Sequence, residues 1–149
     1  MKSCFMFGHA DCPDCIMSRI ETAIEEHYTG HSINNFYVGN RGRFDCLAAA
    51  AVKRVKQRHP DISLYLVLAY HPAEREVNLT EGFDNSYYPP LEGVPKRYAI
   101  VKANQYMVNT TDSIICYVNH VGNTRKLLEV AQRRQKREEI VIENVAEIR

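Results

Sequence analysis

Three short segments carry residues that can do chemistry. Cys12-Pro13-Asp14-Cys15 is a C-x-x-C just ahead of a helical pattern, where a helix dipole lowers a thiol pKa, and with His9 it offers three donors that zinc accepts. Thiol redox chemistry or metal binding at His9, Cys12 and Cys15 is one expectation, although no second C-x-x-C or H-x-x-H completes a tetrahedral set. Gly39-Asn40-Arg41-Gly42 and Asn119-His120-Val121-Gly122-Asn123-Thr124 are glycine turns ahead of helical patterns, and Gly8-His9 is a third. Glycine lets backbone N–H groups approach a ligand, and a helix starting just behind it adds free donors and a positive dipole end, which suits phosphate. Asp45 is placed to cap a helix or to accept a ribose hydroxyl, and either Asp45 or His120 is a candidate general base. G-x-x-x-x-G-K, G-x-G-x-x-G and G-x-S-x-G are all missing, which removes support from P-loop, dinucleotide-fingerprint and α/β-hydrolase readings.

The elements that must hold these segments follow from hydrophobic spacing. Cys4–Phe7 reads as a strand, and Ile16, Ile20, Ala23 and Ile24 mark a helix running to Tyr28-Thr29-Gly30. Phe36–Val38 reads as a second strand, and Phe44, Leu47, Ala48, Ala51, Val52 and Val55 form the stripe of a second helix that stops at His59-Pro60. Its last turns carry Lys53, Arg54, Lys56 and Arg58, where cations complement the helix dipole. Ser63–Ala69 is apolar enough for a strand buried on both faces, expected central or nearly so. Residues 70–97 lose the pattern and read as a long ordered loop or lid. A helix at Ile100–Val108, a strand at Ser113–Val118, a helix through Leu127, Leu128 and Ala131 and a strand at Ile140–Ile142 complete the chain. Alternating strands and helices predict one α/β Rossmann-like, doubly wound domain over residues 1–149. It has a mainly parallel five-stranded sheet in the order 3-2-1-4-5 and helices on both faces. In such a sheet ligands bind outside the carboxyl ends of the strands, where all three glycine turns fall.

Composition narrows the partners. The chain has 149 residues, 45% apolar and 25% charged, and 19 Lys plus Arg against 18 Asp plus Glu leave a net charge of +1. That balance disfavours broad neutralisation of nucleic-acid phosphates and directs attention to small molecules or protein partners. No run approaches the 18 or so apolar residues of a membrane span, and His9, Asp11 and Asp14 interrupt the place of a signal-peptide core. With five cysteines, an odd number, the expectation is a cytoplasmic protein with reduced thiols and no membrane partner.

The chain also resembles a known group. F-x-F-G-H at 5–9, F-Y-V-G-N-x-G-x-F-D at 36–45, V-L-A-Y at 67–70, P-x-R-Y-A-I-x-x-x-N-x-x-M at 95–107 and C-Y-V-N-H at 116–120 resemble the small bacterial members of the SLOG superfamily. That superfamily is similar to the Lonely Guy phosphoribohydrolases and the DNA-processing protein A family. The resemblance implies a Rossmann-like sheet and a nucleotide or nucleotide-derived ligand, and makes Arg97 and Asn104 attractive as two cleft-facing positions of one helix. The enzymatic branch carries P-G-G-x-G-T-x-x-E, whereas this chain has His120-Val121-Gly122-Asn123-Thr124-Arg125-Lys126, with cations where the carboxylate is expected. An oxocarbenium-like transition state wants negative charge nearby, so the departure lowers the expectation of glycosidic cleavage.

The expectation is therefore a nucleotide-binding sensor without turnover, with no cofactor of its own. Its ligand residues would be Gly8, His9, Gly39, Asn40, Gly42, Asp45, Tyr70, Arg97, Asn104, His120, Gly122, Asn123 and Thr124. The alternatives are a nucleotide-processing hydrolase of N-glycosidase or phosphoribohydrolase type and a protein-interaction module. A homodimer is expected, as folds of this kind commonly pair.

Overall fold

The computed structural model describes residues 2–147. Six strands form one wholly parallel sheet: β1 (Lys2–Gly8), β2 (Ile33–Val38), β3 (Ser63–Val67), β4 (Asn85–Tyr87), β5 (Ser113–Tyr117) and β6 (Val141–Asn144), in the order β4-β3-β2-β1-β5-β6. Four helices cover it: α1 (Met17–His31), α2 (Arg43–Arg58), α3 (Ala99–Thr110) and α4 (Asn123–Gln135). The α/β class and the relative order of the five expected strands hold, and the count is corrected from five to six. The added strand is three residues long, too short and polar for hydrophobic periodicity to reveal. It also places β3 next to the sheet edge, not at its centre.

The pleat of β1 divides the core in two. Cys4 and Met6 point to one face and join Ile20 and Ile24 of α1 and Phe44, Leu47, Ala48 and Val52 of α2. Phe5 and Phe7 point to the other and join Met107 and Val108 of α3 and Leu127, Leu128 and Ala131 of α4. Each helix buries residues three and four apart, such as Ile20, Ala23, Ile24 and His27 in α1, which explains why the stripes were legible in sequence. The basic end of α2 is tied down by acidic partners: Arg54 to Glu21 at 3.2 Å, Arg58 to Glu25 at 2.8 Å and Lys56 to Asp84 at 2.6 Å. Those cations stabilise the surface between elements.

Two buried polar groups fasten the layers. His27 bridges α1 to the two last strands, with Nδ1 3.1 Å from Ser113 Oγ and Nε2 3.2 Å from Glu143 Oε1. Arg134, near the end of α4, donates from its guanidinium to the carbonyls of Val108 and Thr111 at the end of α3. A cation at a helix C-terminus satisfies carbonyls that the helix leaves free. The carboxyl ends of α3 and α4 are thereby clamped together.

Residues 70–97 are ordered by packing. β4 pairs with β3, Asp84 accepts the Leu64 N–H at 2.8 Å, and Leu91, Tyr88 and Val94 pack against Ala99 and Ala103 of α3. The segment adds a strand and braces α3. It contributes no residue to the cleft described below.

Candidate functional site

The sheet order reverses between β1 and β5, and a cleft of about 550 Å³ lies at that edge and runs down between α3 and α4. Phe5 and Phe7 of β1 form its floor. Ile100, Val101, Asn104 and Gln105 of α3 form one wall, and Asn123, Thr124, Lys126, Leu127, Val130 and Arg133 of α4 form the other. Gly8, Ala10, Gly39, Arg41, Gly42 and Asp45 surround the mouth. The volume suits a small organic ligand, and the lining is largely apolar with a few polar groups, as such sites are.

The mouth is glycine for measurable reasons. A Cβ at Gly8 would stand 2.5 Å from the ring of Phe44, and one at Gly42 would stand 2.6 Å from Ala10 Cα. Only hydrogen fits where Gly8 passes Phe44 of α2 and where Gly42 meets the loop at Ala10. Gly122, at the start of α4, has φ 151, a conformation that side chains with a Cβ rarely adopt.

Asp45, in the first turn of α2, is 9% exposed and accepts the Arg41 N–H through Oδ2 at 2.9 Å. Burial pushes its pKa up to about 6, against smaller lowering effects of that hydrogen bond and of the Arg41 charge. A carboxyl poised near neutrality in a cleft can hold or release a proton under ordinary conditions. Arg41 also lies 5.8 Å from the Tyr70 ring, and Arg75 lies over the same ring at 3.7 Å.

Beside the mouth, His9 is buried at 4% exposure and clamps the loop that follows β5. Its Nε2 accepts the Asn119 N–H at 3.1 Å and lies 3.4 Å from the His120 nitrogen, whose N–H is also directed to it. The His120 ring stacks on His9 with centroids 3.5 Å apart. Burial lowers the His9 pKa below the ordinary imidazole value, with His120 and Arg125 adding to the lowering against Asp11, in accord with the acceptor role of its Nε2.

His9, Asp11 and His120 bring potential metal-ligand atoms within 4.8 Å of one another. The hydrogen bonds point elsewhere. A metal-ligating imidazole turns its second nitrogen, as a donor, onto an acceptor, whereas His9 directs Nε2 at two backbone donors. The expected set of His9, Cys12 and Cys15 is corrected: among the described residues the structure groups His9 with Asp11 and His120, not with either cysteine. Cys12 is buried and Cys15 exposed, and burial pushes the Cys12 thiol up to about 11, opposite to the lowering expected at a helix start. Burial is the main cause, and the charges of Asp11, Asp14 and Asp45 add to it against that of Arg43.

Of the expected ligand residues, the cleft gathers Gly8, Gly39, Gly42, Asp45, Asn104, Asn123 and Thr124. His9, His120, Gly122 and Asn40 belong to the turns around its mouth and do not line it. Tyr70 packs with the segment that braces α3. Arg97 stands exposed in the 3-10 turn Lys96–Tyr98, its guanidinium 4.9 Å from the Tyr98 ring, because α3 begins two residues later than the expected face required. The apolar floor of Phe5 and Phe7 and the α4 face of Lys126, Val130 and Arg133 were missed as ligand positions. Their spacing reads as core and solvated helix, and only the separation of α3 and α4 turns them into a lining. The chain matches no known family model and no curated protein.

Proposed function

We propose that the protein binds a nucleotide or nucleotide-derived small molecule in this cleft and acts as a sensor without turnover. The observation that carries the reading is the cleft itself, placed where the sheet order reverses, with three glycines at its mouth and Arg41, Lys126 and Arg133 on its lining. Anionic groups fit the first turn of α4, where Asn123 and Thr124 offer polar side chains beside free backbone donors. The motif likeness to the SLOG superfamily supports the same class of ligand.

A thermal-shift screen against nucleoside mono-, di- and triphosphates, nucleotide sugars and cyclic dinucleotides tests it, with product analysis of every hit. A stabilising compound recovered unchanged supports the sensor. Asp45 favours one second reading, a nucleotide-processing hydrolase, because a buried carboxyl with a pKa near 6 lines the cleft. Recovery of free base or sugar phosphate, abolished in Asp45→Asn, would establish that reading instead. Absence of any hit across the screen overturns both.

A further inference from the structure

The sheet face under α3 and α4 is only half covered. Those helices pack on Phe5 and Phe7 of β1 and on Ile114 and Cys116 of β5; of β2, β3 and β4, only Val67 joins that cluster, with Tyr37 and Tyr87 at its margin. The register shows what the rest of this face presents. Tyr37 stands opposite Tyr65, Tyr65 opposite Asn85 and Asn35 opposite Ser63, and alternation along each strand puts all of them on the same side as Val67 and Tyr87. Tyr106 of α3 closes the patch on one flank, its hydroxyl 3.5 Å from that of Tyr87. Tyr37, Ser63, Tyr65, Tyr87 and Tyr106 are half-buried, and Asn85 is exposed.

This patch has the make-up of an interface core. None of these side chains is charged, in a chain where 25% of residues are, and charge depletion with tyrosine enrichment marks the centre of protein–protein contacts. The rings are set in advance: Tyr37 and Tyr65 stack with centroids 4.9 Å apart, and Tyr87 meets Tyr37 edge-on at 5.7 Å. Little side-chain entropy is left to lose on contact. Without cations the patch does not suit nucleic acid. Hydroxyl and amide groups each donate and accept, so a second copy of the patch complements the first without any charge meeting its like. The free edge of β4 serves pairing less well, because Asn85 Oδ1 already takes the Ser86 N–H at 2.8 Å.

We propose that this tyrosine face pairs two copies of the chain about a two-fold axis, sheet against sheet. Three strands, about five residues of each, make a patch roughly 15 Å on a side. That size places the pairing in the weak, reversible class, with a Kd of about 10–100 µM. It needs no ligand, so the reading of the cleft stands or falls separately. Sedimentation velocity of the full chain over about 5–500 µM tests it, and a concentration-dependent shift from monomer to dimer is expected. Tyr65→Glu and Tyr65→Lys each set like charges against one another across the axis and should weaken pairing about tenfold or more, while an equimolar mixture of the two should pair at least as tightly as wild type. Tyr106→Lys, on the flank, should weaken it as well, and urea unfolding checks that each variant is folded. A wild-type monomer throughout the range overturns the proposal, as does a dimer that both Tyr65→Glu and Tyr106→Lys leave intact. A dimer lost only in Val101→Glu, at an exposed position of α3 on the cleft wall, overturns it too and moves the contact to the helices.

Discussion

The two faces of this sheet are built from alternate residues of the same strands and behave differently. Under α1 and α2, small side chains such as Ala23, Ala48 and Ala51 let helix and sheet approach closely, Ile24 and Phe44 are fully buried, and ion pairs close the seam at the surface. Under α3 and α4, the helices are pinned at their carboxyl ends by Arg134, and a cleft stays open above β1 towards their amino ends. The seam between α1 and α2 is closed and serves stability. The other opens into the cleft, and its lining cations Lys126 and Arg133 enter no ion pair among the described residues. A site thus arises by leaving one helix pair incompletely packed where the sheet order reverses.

The comparison breaks first on core truncation. Ile24→Ala, at a fully buried position of α1, should cost about 2–5 kcal/mol, whereas Val130→Ala on the cleft wall should cost under about 1 kcal/mol; urea unfolding of the two variants measures both. Equal losses would mean that the α3–α4 face is packed as tightly as its counterpart. Next in size, Arg134→Ala should lower stability by about 2–3 kcal/mol, because the Val108 and Thr111 carbonyls lose a charged donor. If ligand binding is also weakened, the clamp sets the width of the cleft; if stability falls alone, it is only a fastening.

The pH dependence sharpens the contrast within the mouth. Asp45 has a folded pKa of about 6, above its ordinary value of 3.8, so its contribution is intact below 3.8 and is lost as pH rises through 6. Asp45→Asn should therefore be more stable than wild type at pH 8, by about 1–2 kcal/mol, with the difference vanishing near pH 4. His9 has the opposite sign. Its folded pKa lies below the ordinary 6.5, so stability is full above 6.5 and is lost as pH falls towards the folded value. His9→Gln should flatten that acid-side loss, and chemical unfolding at stepped pH should show the two variants bending the curve in opposite directions. Smallest of all in stability, Thr124→Val and Lys126→Ala should shift the apo protein by under about 0.5 kcal/mol. Both should nonetheless weaken ligand-induced thermal stabilisation, and Arg97→Ala, outside the cleft, should not.

The helices and five of the strands were legible because burial repeats at fixed spacing: Ile20, Ala23, Ile24 and His27 along α1, or Phe5 and Phe7 against Cys4 and Met6 along β1. The glycine turns were legible because nothing larger fits where the chain passes Phe44 and Ala10. Periodicity is a property of one element and ends with it. β4 was hidden because three polar residues have no period, and Arg97 was misplaced because a single 3-10 turn shifts the face that a helix presents. The His9 clamp joins residues 110 positions apart, and its lowered pKa comes first from burial and then from His120, brought beside it only by the fold. Local spacing thus determined which elements form and which edge of the sheet collects the turns. The separation of α3 from α4, the raised pKa of Asp45 and the choice between core and lining for Phe5, Phe7 and Val130 were decided by tertiary structure, because each depends on what lies across a gap and on how much water reaches it.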